Sequence, residues 1–203
     1  MKPGAPRPRP ALKLPAWLER ARRLILHPTQ AWPAIAGEFT TVGPIYARFL
    51  VPMAAIGPLA TTLGTIVFGE RSILGQTYEM SFKNAVTDGI LQYVLGLVAV
   101  YGVALVIDAL APTFSGQRNQ VQALKLAAYG STPFWLSGVF ALVPKLTILG
   151  LVVGLYTFRL FALGLPLLMK APREKTPGYA VVVAVAAILV ALLCAALEVK
   201  IVV

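Results

Sequence analysis

Five apolar stretches in the amino-acid sequence are each long enough to cross a lipid bilayer. They cover residues 46–68, 90–110, 123–143, 146–169 and 179–203. A transmembrane helix needs about 20 mostly apolar residues, because a rise of about 1.5 Å per residue must span a hydrocarbon core about 30 Å thick. The sequence therefore predicts an all-α integral membrane protein with five transmembrane helices.

The composition agrees with this class of protein. Hydrophobic residues make up 58% of the chain and charged residues only 13%, whereas a soluble domain is about 45–50% apolar and about 25% charged. The formal net charge of +10 raises the question of nucleic-acid binding. Seven of the basic residues, however, precede the first apolar stretch, and no aromatic stacking platform accompanies them. We therefore expect the positive charge to set the orientation of the chain in the membrane, and we predict no nucleic-acid partner.

The basic residues also predict the orientation of the chain, because Lys and Arg are enriched in cytoplasmic loops. The N-terminal tail and the connections 111–122 and 170–178 are basic. The connection 69–89, on the opposite side, carries two basic residues against three acidic ones. We therefore expect a cytoplasmic N-terminus and a periplasmic or extracellular C-terminus, as five crossings require.

Two topologies are compatible with the joint between the third and fourth stretches. Only Pro144 and Lys145 interrupt the apolar run of residues 136–153. A single straight helix of this length would overrun the bilayer, so we prefer a tight helical hairpin. A re-entrant pair is the alternative, and it would move the C-terminus to the cytoplasm.

Residues 1–45 form a basic, proline-rich cytoplasmic tail with an amphipathic helix at about residues 16–27. Trp17, with the apolar residues that follow it at helical spacing, lies on one face of this helix. Arg20, Arg22 and Arg23 lie on the other. Such a helix can lie on the membrane surface, with these arginines contacting anionic headgroups. It can equally dock on the cytoplasmic face of the protein itself, and the residues leave both interpretations open.

Small residues recur at fourfold spacing on the apolar stretches. Small side chains let helices approach closely in lipid, where the hydrophobic effect does not drive association. We expect them to mediate packing inside the bundle, with a homo-oligomer interface as the alternative. These residues are Gly150, Gly154, Ala187, Ala191 and Ala195.

Two ionisable residues lie inside apolar sequence. Asp108 is near the cytoplasmic end of the second stretch, and Arg159 is well inside the fourth. A charge within the membrane is a candidate for function and usually has a partner. We expect Asp108 and Arg159 to pair, either as an ion pair that sets helix register or as part of a transport pathway.

The sequence contains no recognisable catalytic constellation. His27 is the only histidine and Cys194 the only cysteine, and no Walker, HExxH or glycine-rich phosphate motif is present. A metal site of the usual Cys and His ligands is therefore not expected. The sequence predicts a protein that is not an enzyme and binds no cofactor or metal.

Three segments carry a resemblance to a known family. They read LILHPTQAWPAIAGE, VIDALAPTFSGQRNQVQALKLAAYGSTPFWLSGVFALVP and YTFRLFALGLPLLMKAPREKTPGYA. In order and spacing they resemble bacterial proteins with the Yip domain, named for the Ypt-interacting proteins of eukaryotic secretion. The resemblance implies a five-helix domain in the bacterial inner membrane with a cytoplasmic N-terminus. It also implies characteristic, mainly structural positions at Asp108, Pro112, Gly116, Tyr129, Pro133 and Pro166.

Two functional hypotheses remain at the level of sequence. The first is a non-enzymatic polytopic membrane protein that binds lipids or partner proteins and organises the membrane. Its partners would be membrane lipids, with anionic headgroups at the N-terminal helix, and further copies of the chain or other membrane proteins. The alternative is a small transporter, channel or lipid scramblase that uses Asp108 and Arg159.

Overall fold

A computed structural model of the chain describes residues 14–68, 70–71, 77–78 and 81–202. Within these residues the protein is almost entirely helical, as the sequence predicts. By length and composition, four helices are able to cross a membrane, and they span Val42–Phe68, Phe82–Leu110, Ile148–Leu168 and Thr176–Glu198.

The N-terminal half begins with two short helices and continues into the first long apolar helix. This long helix is irregular because Pro52 has no backbone N–H to donate and crowds the preceding turn, so a π-helical turn precedes it. A two-residue β-ribbon follows, in which Glu70 pairs with Tyr78. The elements are α1 (Ala16–Leu26), α2 (Pro28–Gly37), α3 (Val42–Ile45), the π turn (Tyr46–Leu50), α4 (Val51–Ala54), α5 (Ile56–Phe68), β1 (Glu70–Arg71) and β2 (Thr77–Tyr78).

The C-terminal half contains the three other long apolar helices and a broken helical run between them. Its elements are α6 (Phe82–Leu110), a 3-10 turn (Pro112–Phe114), α7 (Gln120–Gly130), α8 (Thr132–Ser137), two 3-10 turns (Gly138–Leu142 and Pro144–Leu146), α9 (Thr147–Gly154), α10 (Tyr156–Leu168) and α11 (Thr176–Val202).

The third predicted stretch, residues 123–143, is not one of the four long apolar helices. It is built from α7, α8 and the 3-10 turn Gly138–Leu142, which follow one another. The break between α7 and α8 is at Ser131, two residues before Pro133, which lies in the first turn of α8 and has no N–H for a continuing helix. A fifth crossing through this run therefore stays a prediction.

The joint at Pro144 is a tight hairpin. The 3-10 turn Pro144–Leu146 reverses the chain, so that α9 packs back against α8. A Cβ on Gly150 of α9 would lie only 3.1 Å from the carbonyl oxygen of Ser137. The two arms are thus in direct contact, which excludes one straight helix across this joint.

Buried side chains concentrate at one end of the bundle, where α1, α2 and α7 meet the C-terminal end of α6 and the N-terminal end of α11. We call this the basic end, because the basic connections of the chain lie there. Large side chains with less than 2% exposure here include Leu24, Trp32, Leu50, Ile107, Leu124, Phe161 and Tyr179. At the other end, many apolar side chains are exposed, as expected for surfaces that contact lipid tails.

Helix α1 docks on the protein itself. The apolar residues Ala21 and Leu24 are fully buried. On the same helix, the guanidinium of Arg20 donates two hydrogen bonds of 2.7 and 2.8 Å to the Glu38 carboxylate, and it lies 5.1 Å from the centre of the Tyr129 ring. Burial acts to lower the pKa of Arg20, but the bonds and charge of Glu38, with a smaller contribution from Tyr129, raise it overall. Of the two interpretations of this helix, the structure therefore agrees with docking on the protein itself.

A buried ammonium holds the end of α2 against α7. Lys125 is 1% exposed, and its Nζ donates to the carbonyl oxygens of Ile35 at 2.9 Å and Glu38 at 2.6 Å. The Gln122 amide donates to the neighbouring Ala36 carbonyl. These carbonyls belong to the last turn of a helix, where backbone acceptors lack partners and a positive charge is favourable.

We expect Lys125→Met to loosen the N-terminal helices without unfolding the bundle. Hydrogen bonds to a charged group are worth about 1.5–3 kcal/mol each, and this substitution removes two. Amide hydrogens of α1 and α2 should then exchange about a hundredfold faster or more. Hydrogen-exchange mass spectrometry in lipid nanodiscs measures this. Lys83→Met, at an exposed position, is the control, and equal exchange in both variants would contradict the role of Lys125.

The backbone of α5 approaches the 3-10 turn after α8 closely. A Cβ on Gly138 would lie 2.6 Å from the Cα and 3.0 Å from the N of Gly57. A Cβ on Gly57, in contrast, would lie 3.9 Å from the Cα of Gly138, which is an ordinary contact. The two glycines of one crossing therefore have unequal tolerance for a side chain.

Gly138→Ala should lower the thermal unfolding midpoint in detergent, while Gly57→Ala should leave it unchanged or raise it. The first variant forces backbone apart at a cost of about 1–3 kcal/mol. The second adds a residue with a better helix propensity, by up to about 1 kcal/mol. Circular dichroism melting curves compare the two, and equal midpoints would show that the crossing is looser than described.

Candidate functional site

A groove lies between α6, α10 and α11, with α8 at its base. Its volume is about 430 Å³, within the range of roughly 300–1,000 Å³ typical of small-molecule sites. Most of its lining is apolar, including Val100, Val103, Phe134, Phe158, Phe161 and Ile188. The side chains of Phe134, Phe158 and Ile188 are 53%, 41% and 59% exposed, so the groove opens on the apolar outer surface.

The groove is long. Its lining on α11 runs from Ala184 to Glu198, which corresponds to roughly 20 Å at the rise of an α-helix. One leaflet of hydrocarbon is about 15 Å deep, half of the core thickness. A ligand of extended shape can therefore lie along the groove in the direction of the helices.

Four polar side chains interrupt the apolar lining: Gln92, Trp135, Thr157 and Glu198. Gln92 Oε1, Trp135 Nε1 and Thr157 Oγ1 are buried and have no hydrogen-bond partner among the described residues. Leaving a buried polar atom unpaired costs about 1–3 kcal/mol, and such atoms are rare in native structures. These atoms mark places where a bound molecule can supply the missing partner.

The small residues of α11 line this groove. Ala187, Ala191 and Ala195 are all part of its wall, and Ala191 and Ala195 are exposed. The sequence predicts a helix-packing role for these alanines. In the structure they line the groove, and their short side chains leave its volume unfilled. Gly154 also lines the groove, whereas Gly150 faces the other arm of the hairpin.

Asp108 pairs with Arg118, which corrects the predicted pair of Asp108 and Arg159. Nε and Nη2 of Arg118 both lie 3.0 Å from Oδ2 of Asp108. Arg159 is exposed, with its guanidinium 5.4 Å from the centre of the Tyr156 ring. Asp108 is near the end of α6, whereas Arg159 is nine residues before the end of α10, a rise of roughly 13 Å. The chain after α6 brings Arg118 back to the carboxylate.

This connection packs tightly on the end of α10. The backbone N–H of Gln117 donates to the Met169 carbonyl at 2.7 Å. A Cβ on Gly116 would lie 2.8 Å from the same oxygen, so a larger residue does not fit. Ser115 has a left-handed backbone, with φ of 57°, and its hydroxyl accepts a 2.7 Å hydrogen bond from Lys175. Two connections of the basic end are thereby joined.

The other family-like positions also shape the basic end. Pro112 opens the 3-10 turn after α6, and Pro133 opens α8. The Tyr129 ring meets the Phe49 ring edge to face, with centroids 4.6 Å apart. Pro166 is inside α10. Tyr129 and Pro133 are buried, Pro166 is partly buried, and Pro112 is exposed.

A second cavity, of about 560 Å³, lies between α1 and α2. It is lined by Arg20 and Arg23, but each of these is paired, with Glu38 and Glu19 respectively. The positive charges of this cavity are thus compensated by carboxylates of the protein itself. The groove between the long helices is therefore the stronger candidate for a ligand site. Arg22 is exposed and makes no side-chain hydrogen bond or ion pair with the described residues.

Among the described residues, no three His, Cys, Asp or Glu side chains are placed to hold a metal ion. His27 is exposed at the end of α1. The Cys194 thiol lies in the groove wall, 3.9 Å from the Leu95 carbonyl oxygen.

Gln92, Trp135 and Glu198 are not among the site residues that the sequence predicts. A signal was present, because Gln92 and Glu198 are polar residues inside predicted membrane-spanning stretches, which are candidates for function by default. Only the packing of α6 against α11 shows that the two share one groove.

Comparisons with known proteins agree with this architecture. The chain matches the model of the Yip1 domain over residues 22–195. It is 27% identical over 155 residues to the inner membrane protein YohC of Escherichia coli K12, covering 75% of this chain and 80% of the relative. The YohC protein of E. coli O6:H1 matches equally. No solved structure matches. Since the domain model covers most of the chain, this membrane protein belongs to the Yip1 domain family.

Proposed function

We propose that this Yip1-domain protein is a non-enzymatic lipid-binding protein of the bacterial inner membrane. In this proposal, the groove between α6, α10 and α11 holds one acyl chain, and the bound lipid lets the protein organise the surrounding bilayer. The observation that carries the proposal is the groove itself, which is mainly apolar and opens on the outer surface of long apolar helices.

The surroundings of the groove favour an acyl chain as its occupant. Exposed apolar side chains such as Phe158 and Ile188 flank it, and in a bilayer these contact lipid tails. An empty groove would forfeit the dispersion contacts of its walls, and water would find few hydrogen-bond partners on such a lining. An acyl chain from a neighbouring lipid can supply these dispersion contacts at little cost in free energy.

The basic end gives the groove fixed walls. The Asp108–Arg118 pair closes the connection after α6, and the Lys175–Ser115 bond joins it to the start of α11. The Tyr179 hydroxyl donates to the Ile107 carbonyl, which ties α11 directly to α6. The helices that line the groove are therefore fixed relative to one another at this end.

The orientation we propose places the basic end in the cytoplasm and Glu198 near the periplasmic side. The exposed residues Lys170, Arg173 and Lys175 support it, since such residues accumulate on the cytoplasmic side. Opposite locations of the two termini require a fifth crossing, for which we propose the run of α7, α8 and the following 3-10 turn. The inner membrane location is that named for YohC.

For contact with anionic headgroups, we propose Arg22 as the main residue of α1. Arg20 and Arg23 are engaged by carboxylates of the protein, whereas Arg22 projects from the exposed face. A basic residue near an anionic leaflet contributes about 1 kcal/mol. Transport through Asp108 and Arg159 has no comparable support, because Asp108 is bonded to Arg118 and Arg159 is on the outer surface.

Filling the groove should displace the bound lipid. We expect Ala191→Trp, on the groove wall, to reduce the lipid retained by the protein about tenfold, since overpacking costs about 1–3 kcal/mol. Native mass spectrometry of protein released from nanodiscs counts the retained lipids. The control is Leu192→Trp on the neighbouring position of α11, which is 61% exposed and outside the groove lining. Equal retention in both variants would refute acyl-chain binding at this groove.

A further inference from the structure

At the end of the groove away from the basic end, the lining includes the Glu198 carboxyl group and the Gln92 amide. We propose that the groove selects lipids whose headgroup carries a protonated primary amine, with the ammonium beside Glu198 and one acyl chain along the apolar lining. This inference rests on the proposed acyl-chain binding and specifies which lipid the groove takes.

Carboxylates define this end of the groove. Glu198 is part of the lining and only partly exposed. Asp88 of α6, also partly exposed, lies on the helix that packs against α11. A carboxylate at the edge of a low-dielectric membrane favours a positive ligand group, because the same charge would repel an anionic headgroup.

Gln92 adds a hydrogen-bond acceptor to this charge. It follows Asp88 by one helical turn, so both project from the same side of α6. Its Oε1 is buried, lines the groove region and has no partner among the described residues. A primary ammonium offers three N–H donors and no acceptor. It can therefore bond to the Glu198 carboxylate and to an amide oxygen together while its charge compensates the carboxylate. A choline headgroup has no N–H donor, and the hydroxyls of a glycerol headgroup carry no positive charge.

The apolar part of the groove begins directly beyond these groups. Towards the basic end the lining passes Ala191 and Ile188 and reaches Phe161. Trp135, which is 7% exposed, has its unpaired indole N–H beside this path. An amphiphile with its amine at Glu198 can thus place its chain among apolar side chains without burying its charge deeper.

The test uses the full-length protein in nanodiscs made from equal amounts of phosphatidylethanolamine and phosphatidylglycerol with identical acyl chains. Native mass spectrometry identifies the lipid that stays bound after release. We expect the ethanolamine lipid to be retained about tenfold over the glycerol lipid, as expected for one charge-assisted interaction of roughly 1.4 kcal/mol.

Substitutions at Glu198 separate charge from folding. Glu198→Gln should abolish the headgroup preference while a lipid is still retained, and Glu198→Asp, which keeps the charge, should preserve the preference. Glu174→Gln, in the exposed connection before α11, is the matched control and should behave as wild type.

The outcomes distinguish the two proposals. Retention of both lipids without preference, or an unchanged preference in Glu198→Gln, would overturn the amine selectivity and leave acyl-chain binding intact. Absence of any retained lipid in the wild-type protein would instead overturn the proposed function.

Discussion

In a bilayer, apolar helices do not gain stability from the hydrophobic effect by meeting each other, and this constraint explains where the present helices are joined. Their association depends on close backbone approach and on hydrogen bonds, and several of these hydrogen bonds lie where side chains are most buried. Trp32 of α2 lies against Gly164 of α10, where a Cβ would be 3.0 Å from the indole. Lys125 bonds the end of α2, and Arg118 bonds Asp108. The basic end is therefore a packed unit to which the N-terminal helices belong.

The openness of the other end follows from the same constraint. Beyond the packed unit, α11 presents alanines towards α6 and α10, and few polar bonds cross between these helices among the described residues. The Cys194 thiol and the Leu95 carbonyl make one weak contact there. Lipid tails can then replace helix–helix contact at almost no cost, since they are as apolar as the side chains they displace. A groove with one clamped end and one lipid-facing end is the structural result.

Much of this architecture could be predicted from residue order alone. The apolar runs, the reversal at Pro144 and the helix after Pro15 depend on local composition and on proline chemistry, which act over a few residues. The partner of Asp108 could not be predicted in this way. Arg159 and Arg118 are both candidate cations for Asp108 in the sequence, and the choice depends on where the 3-10 turn at Pro112 and the left-handed Ser115 direct the chain. Likewise, an amphipathic helix has the same pattern whether it covers a membrane or its own protein.

The sequence by itself determined that this is a helical membrane protein with basic connections at one end of its apolar helices, because length, hydropathy and charge are summed along the chain. Only the tertiary structure decided which side chains face one another. It placed Gln92 and Glu198, more than one hundred positions apart, on one groove, and it buried the apolar face of α1 against the bundle. The physical reason is that small residues permit close packing on a helix face, and either another helix or a lipid can pack there. That choice depends on the crossing of distant helices.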